Sequence, residues 1–181
     1  MYRIAGTLFD PKTRKWNPDD GHALIVLQHQ NQNYIIDAGF ASYLPLYPVP
    51  FNGASITSVT GEYRVRKQNT EKGTHVFEMK KGKNGETSHF FDSDLSDTWS
   101  IGYAFYLNAI NEKKVNAIQN MVIEHPESPV NKGNIICKLI EHGHIALTKQ
   151  SFTETRHGKK IKKDITEKQY HQILKNEFNI F

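Results

Sequence analysis

The sequence has little cysteine and no long apolar run. One cysteine in 181 residues excludes an intrachain disulfide framework and a zinc site built on several cysteines. It is typical of a reducing compartment. No stretch approaches the roughly 18 consecutive apolar residues of a membrane helix, and the first residues are too polar for a signal peptide. We therefore predict a cytoplasmic protein that does not enter membranes.

Strong charge of one sign is also missing. The chain has 23 basic and 19 acidic residues, a net charge of +4, which would suit an anionic small molecule as well as nucleic acid. The basic run Lys159–Lys163 has no stacking residues interleaved with it, which argues against a nucleic-acid partner. Such a run is typical of a solvated hairpin edge, where lysines discourage pairing between sheets.

The residues that are present predict a folded domain, because 38% are hydrophobic and 11% aromatic. The first two thirds of the chain have strand patterns. Two apolar runs, His22–Leu27 and Tyr34–Asp37, flank a short polar connection, which predicts a hairpin. Because the runs are almost continuously apolar, we expect both strands to be buried on both faces.

The pattern changes near Asn108. A helix should end before His125-Pro126, short strands follow, and a last helix begins at the N-cap Thr166. The predicted fold class is α+β, mainly β. We expect a β-barrel domain over residues 1–110 and a smaller α+β domain over residues 111–181.

His22 and Asp37 are the best candidates for chemistry. His22 begins one strand of the predicted hairpin and Asp37 ends the other, so both would lie at the same edge of the sheet. A carboxylate bonded to one imidazole nitrogen fixes the tautomer and leaves the other nitrogen as a base. The alternative is structural, with Asp37 capping a turn and His22 an ordinary residue at a strand end.

Several segments occur in an order that resembles one family. They are His22-Ala-Leu-Ile-Val, Tyr34-Ile-Ile-Asp37-Ala-Gly39-Phe40, Leu44-Pro45-Leu46, Gly61-Glu-Tyr-Arg-Val65, His125-Pro-Glu-Ser-Pro-Val130, Gly143-His-Ile-Ala-Leu147 and Ile173-Leu-Lys-Asn-Glu-Phe178. The order resembles that of the barrel and lid of arylamine N-acetyltransferases, and the spacing of 37 − 22 = 15 residues between His22 and Asp37 also matches this family.

The resemblance implies a fold and a reaction. The fold would be that of the second and third domains of these enzymes, in the cysteine-proteinase-like superfamily, with the α+β unit as a lid. A Cys-His-Asp triad would transfer an acetyl group from acetyl-CoA to an arylamine, a hydrazine or a similar amine. His22 and Asp37 would be catalytic, Gly39 and Phe40 would contact substrate, and Lys159–Lys163 would attract the phosphates of coenzyme A. No metal is implied.

The sequence departs from the family at the nucleophile. The family cysteine precedes the histidine, in R-G-G-x-C-x-E of a helical bundle, and no cysteine occurs before His22. The only cysteine, Cys137, lies in an apolar strand pattern, so we expect it to be buried and inert. Ala41 stands where the family usually has glycine, and Val130 replaces an aromatic residue.

Three hypotheses remain. The chain is a truncated or split acetyltransferase that is inactive alone; or it is a non-catalytic protein that binds coenzyme A or an aromatic ligand; or it is one half of an enzyme whose cysteine domain is a separate chain. The spacing of His142-Gly143-His144 could also bind a metal. The glycine indicates a turn, and we favour a structural role for both histidines.

Overall fold

The computed structural model describes residues 1–11, 13–40, 44–58, 60–80, 99–128, 131–157 and 159–181. Its thirteen strands and two helices are β1 (Tyr2–Asp10), β2 (Lys15–Trp16), β3 (His22–His29), β4 (Gln32–Ile36), β5 (Val49–Pro50), β6 (Ile56–Ser58), β7 (Gly61–Thr70), β8 (Gly73–Lys80), β9 (Ser100–Phe105), α1 (Glu112–Glu124), β10 (Ile135–Ile140), β11 (Gly143–Thr148), β12 (Ser151–Arg156), β13 (Lys159–Asp164) and α2 (Glu167–Phe178). Ala41, Val130 and residues 81–98 lie outside the described residues.

The first nine strands form one antiparallel sheet that curls into a nearly closed barrel. Its order is β5-β4-β3-β1-β9-β8-β7-β6, with β2 paired to β1. Alternate side chains of these strands point inward, and they form a core that water does not reach: Ile4, Leu24, Val26, Ile35, Tyr63, Val65, Phe77, Met79, Tyr103 and Phe105. The mainly β fold with a barrel is confirmed.

The predicted hairpin of β3 and β4 is present, with Ile25 opposite Ile36 and Leu27 opposite Tyr34. The expectation that both strands are buried on both faces is wrong. In β3, Leu24 and Val26 are buried whereas Ala23 is exposed and Ile25 is half-buried. A run of apolar residues does not indicate which side chains face the core and which face solvent, and one face of β3 is partly exposed.

The last four strands form a second antiparallel sheet in the order β10-β11-β12-β13. α2 contacts β11 and begins with a capping box, in which Thr166 and Gln169 satisfy each other's backbone N–H groups. The division into domains at residue 110 remains a prediction. None of the helices in the described ranges is long and apolar enough to cross a membrane.

α1 joins the two sheets and also contacts β3. Asn111 caps its N-terminus by accepting a hydrogen bond from the Lys114 N–H. The helix ends at Glu124 because His125 precedes Pro126 and adopts an extended backbone conformation. The predicted end of this helix is therefore confirmed, and its position beside β3 brings it to the candidate site.

Candidate active site

The structure brings His22 and Asp37 together at one end of the barrel. His22 Nε2 lies 2.9 Å from Asp37 Oδ2, and the exposed fractions of the two side chains are 10% and 0%. A carboxylate only accepts hydrogen bonds, so the Nε2–H of the imidazole is the donor. This bond fixes the tautomer and leaves Nδ1 as the basic nitrogen.

Asp37 is held from its other oxygen as well. The backbone N–H of Gly39 donates a 2.9 Å hydrogen bond to Oδ1, in the turn that follows β4. Gly39 also sits against the imidazole, since a Cβ at this position would come within 3.2 Å of His22 Cε1. The turn therefore fixes the carboxylate and, at the same residue, leaves room for the histidine ring.

Aromatic rings surround the pair on the barrel side. The His22 ring lies 5.2 Å from the ring of Tyr103 and 5.7 Å from that of Phe40, between centroids. Tyr103 in turn stacks on Phe77, with centroids 4.5 Å apart and planes only 5° from parallel. This packing leaves the imidazole few alternative orientations.

Tyr103 is a residue of the site that sequence reasoning missed. Its hydroxyl is buried and forms no hydrogen bond of standard geometry within the described residues. Burial, and then the negative charge of Asp37, hold the pKa of the Tyr103 phenol well above its ordinary value. The phenol is therefore neutral beside the carboxylate. The alternation of aromatic residues in β9 indicates that Tyr103 faces inward, but it carries no sign of the neighbouring Asp37.

The loop before β3 ties the histidine to α1. The backbone N–H of Asp20 donates a 3.0 Å hydrogen bond to Thr7 Oγ1. The Asp20 carboxylate pairs with Lys114 of α1 at 2.7 Å, and Asp19 pairs with Lys72 at 2.8 Å. These contacts fix the residues that lead into His22 and hold the first turn of α1 beside them.

A cavity of about 350 Å³ opens between His22 and α1. Its walls are mostly apolar: Leu8, Asn17, Pro18, Gly21, His22, Ala23, Gly39, Phe40, Val115, Ile118, Gln119, Met121, Val122 and Ser128. The predicted substrate residues Gly39 and Phe40 thus line the same cavity as His22. The sequence predicted a helix at α1 without assigning it to the site.

The structure corrects the prediction for Cys137. This cysteine is exposed and not buried, because β10 is the outer strand of the second sheet and has a single neighbouring strand, β11, among the described residues. An apolar strand pattern does not distinguish a central strand from an outer one. Cys137 is not among the residues that line the cavity at His22.

The two histidines with metal-like spacing lie apart from His22, in and beside the second sheet. His142 is at the turn before β11 with a left-handed φ of 61°, whereas His144 is buried in β11. No group of three or more His, Cys, Asp or Glu side chains in the described ranges is arranged to hold a metal ion. Lys159–Lys163 forms most of the outer strand β13, as expected for a hairpin edge.

Comparisons with known proteins agree on one family. The model of the N-acetyltransferase family matches residues 1–181. The structure of arylamine N-acetyltransferase C from Bacillus anthracis is similar, with a TM-score of 0.89 and 52% identity over 99% of this chain. The chain spans only 66% of that relative, which is slightly less than two thirds.

Two further structures are similar to this chain. An arylamine N-acetyltransferase of Bacillus cereus, described as having a unique Cys-His-Glu catalytic triad, has a TM-score of 0.87 and 42% identity; the match covers 99% of this chain and 65% of the relative. An arylamine N-acetyltransferase of Mycobacterium marinum, solved in complex with CoA, has a TM-score of 0.75 and 18% identity over 99% of this chain and 62% of its own. The last likeness concerns the fold alone.

Proposed function

This chain belongs to the N-acetyltransferase family, and we propose that it supplies the base and the orienting carboxylate for acetyl transfer from acetyl-CoA to an arylamine, a hydrazine or a similar amine. The observation that carries this proposal is the buried 2.9 Å hydrogen bond between His22 Nε2 and Asp37 Oδ2. It leaves Nδ1 of His22 as the basic nitrogen, next to a mostly apolar cavity.

His22 would act on a thiol. Nδ1 takes the proton of the thiol, and the thiolate attacks the carbonyl carbon of the acetyl thioester. The bond from the acetyl group to coenzyme A breaks, and the proton passes from His22 to the departing thiolate. In the second half-reaction the amine attacks the enzyme thioester and gives its proton to the regenerated thiolate. Asp37 fixes the tautomer of the neutral imidazole and stabilises the imidazolium that forms when Nδ1 takes the proton.

The thiol would come from outside residues 1–181. Cys137 is in β10 of the second sheet and does not line the cavity at His22. The relatives are longer, since this chain spans 66% and 65% of the two Bacillus enzymes. We infer that a helical segment outside residues 1–181 carries this cysteine and brings its thiol to the apolar cavity between His22 and α1.

Complementation tests this function. The purified chain is mixed with acetyl-CoA, with and without the third of the B. anthracis relative that the match leaves out. We expect the mass of one acetyl group on the cysteine of the added segment, and transfer to an arylamine, only in the complete mixture. His22→Ala should abolish both steps, whereas Cys137→Ser should leave them unchanged.

Two outcomes would contradict the proposal. A stoichiometric acetyl adduct on Cys137 of the chain alone would move the nucleophile to the second sheet. Full activity of His22→Ala in the complete mixture would remove the role of the base. A cytoplasmic location is part of the proposal, because acetyl-CoA and a reduced thiol must both be available.

The second candidate is a non-catalytic binding protein. It is favoured by the mostly apolar cavity, which has a volume suited to a small aromatic ligand and no cysteine among the residues that line it. Calorimetry with coenzyme A and with an arylamine distinguishes the two functions. Micromolar binding of either ligand, together with no acetyl transfer when the thiol-bearing segment is added, would favour the non-catalytic binding function. If neither ligand binds, this second function is excluded.

A further inference from the structure

The two outer strands of the second sheet have opposite compositions. β13 carries four lysines in six residues, whereas β10 reads Ile-Ile-Cys-Lys-Leu-Ile and has Lys138 as its single charge. Lysines at a sheet edge discourage pairing with other sheets, and an apolar edge with few of them is a template for a further strand. One edge of this sheet is therefore protected and the other is not.

β10 also exposes its side chains. Ile135 and Leu139 have exposed fractions of 37% and 39%, and the exposed Cys137 lies between them on the same face. Among the described residues β10 pairs only with β11, so its other side meets no strand there. Burying the side chains of Ile135, Cys137 and Leu139 against another apolar surface would lower the free energy of the protein.

We propose that β10 pairs antiparallel with β10 of a second copy of this chain, so that two four-stranded sheets become one sheet of eight strands. The pairing is isologous, around a two-fold axis perpendicular to the sheet. Residues that lie directly opposite each other in such a pair point to the same face of the sheet. The two-fold axis therefore passes between the two copies of one residue, and not between two copies of one peptide bond.

Strand length and charge together select the register, because only an axis at Cys137 or at Lys138 pairs five of the six residues of β10 with the same strand of the second copy. With Lys138 on the axis the two lysines would be directly opposite, which is unfavourable. With Cys137 on the axis, Ile135 lies opposite Leu139 of the second copy, and Lys138 lies opposite Ile136. The apolar residues are then matched across the strands and the two ammonium groups are kept apart. The occupant that fits this strand best is therefore the same strand.

Sedimentation equilibrium of the 181-residue chain, with matched charge variants, tests the proposal. We expect a dimer for the wild type. Ile135→Glu and Leu139→Lys should each weaken the dimer at least about tenfold, because each sets a charge against an apolar residue at two symmetric positions. The double variant sets the new carboxylate against the new ammonium at both positions and should recover the dimer.

A matched control comes from the protected edge. Ile161 of β13 is 46% exposed, and Ile161→Lys should leave the dimer unchanged. All three positions in these variants carry exposed side chains, so the fold should tolerate the substitutions, and circular dichroism checks this. A monomeric wild type overturns the proposal, as does a dimer that both single variants leave intact or a double variant that stays as weak as the singles.

A second measurement needs no substitution. In the proposed register the two Cys137 side chains face each other at the axis, within the range of a disulfide. Diamide takes two electrons and two protons from the pair of thiols and becomes the hydrazine, and a covalent dimer should form rapidly at protein concentrations that give a dimer. If the wild type forms the covalent dimer no faster than the Ile135→Glu variant does, the register with Cys137 at the two-fold axis is wrong.

Discussion

Two buried histidines, one in each sheet, have different surroundings. Taken as whole residues, His22 and His144 have exposed fractions of 8% and 4%. The Nε2 of His22 is hydrogen-bonded to Asp37, whereas the Nε2 of His144 is buried without a hydrogen-bond partner in the described part of the chain. Burial is common to both, so burial alone does not identify a base.

The partners of the two rings explain the difference. The cross-strand neighbour of His144 is Thr155, and that of Thr155 is Lys160. Burial, and then the positive charge of Lys160, lower the pKa of His144, so its neutral form is preferred. Within the described ranges no carboxylate is hydrogen-bonded to its Nε2 to fix the tautomer. A histidine that must hold one orientation and exchange a proton needs the surroundings of His22.

The largest expected effect comes from removing the carboxylate of Asp37. Asp37→Asn should lower the rate of acetyl transfer in the complemented mixture by about 10³- to 10⁴-fold, because an amide no longer imposes the tautomer with a free Nδ1. Initial rates with an arylamine measure the loss. Glu154→Gln, which removes a carboxylate from the second sheet, is the matched control and should keep the wild-type rate.

Asp37→Glu sharpens the same comparison. A longer carboxylate can still accept the Nε2–H bond. We expect this variant to recover much of the activity that Asp37→Asn loses. If Asp37→Glu and Asp37→Asn lose equal activity, the exact position of the carboxylate matters more than its charge.

Replacing each histidine by phenylalanine should have opposite effects on stability. His22→Phe leaves the buried Asp37 carboxylate without its ring partner and should lower the free energy of unfolding by about 3 kcal/mol. His144→Phe removes a buried Nε2 that has no hydrogen-bond partner among the described residues, and it should be neutral or stabilising by up to about 1 kcal/mol. Urea unfolding at pH 7 gives both values. Equal losses of unfolding free energy in His22→Phe and His144→Phe would show that the two histidines do not differ in their contribution to stability.

The sequence predicted the elements around His22 better than the environment of the second sheet. A histidine that begins an apolar strand and an aspartate that ends the next one are local features, and the register of a short hairpin brings them together. The loop from Asn17 to Gly21 and the apolar side of α1 reach the same site through tertiary contacts. No local pattern indicates such contacts, so this part of the cavity wall was not predicted, whereas Gly39 and Phe40 were.

The wrong prediction for Cys137 has the same cause. An apolar hexapeptide has one composition whether it is central or outer in a sheet, and only the strand order decides which. The strand order of the second sheet places β10 outside. The same limit explains β3, whose continuous apolar run conceals one buried and one partly open face.

A smaller effect is expected for the hydroxyl of Tyr103. Tyr103→Phe removes a buried neutral phenol next to Asp37. It should change the free energy of unfolding by less than about 1 kcal/mol, since the hydroxyl forms no standard hydrogen bond within the described residues. Acetyl transfer should fall by less than in Asp37→Asn, because the His22–Asp37 bond stays. Unfolding and initial rates on the same preparations test this, and a loss as large as that of Asp37→Asn would make Tyr103 an equal member of the site.

The smallest expected effect is in the pH dependence of stability. The folded pKa of His144 is lowered from 6.5, so below about pH 6.5 the unfolded chain binds a proton that the folded chain does not. The wild type should therefore lose stability as the pH falls from this value toward the lower folded pKa. His144→Phe lacks this contribution and should lose less over the same interval, whereas above pH 7 the difference between the two proteins should be constant. Urea titrations of both proteins at several pH values measure this difference. If the free energy of unfolding changes with pH equally in both proteins below pH 6.5, His144 takes up its proton as readily in the folded chain as in the unfolded one. Burial beside Lys160 would then not distinguish His144 from a solvated histidine.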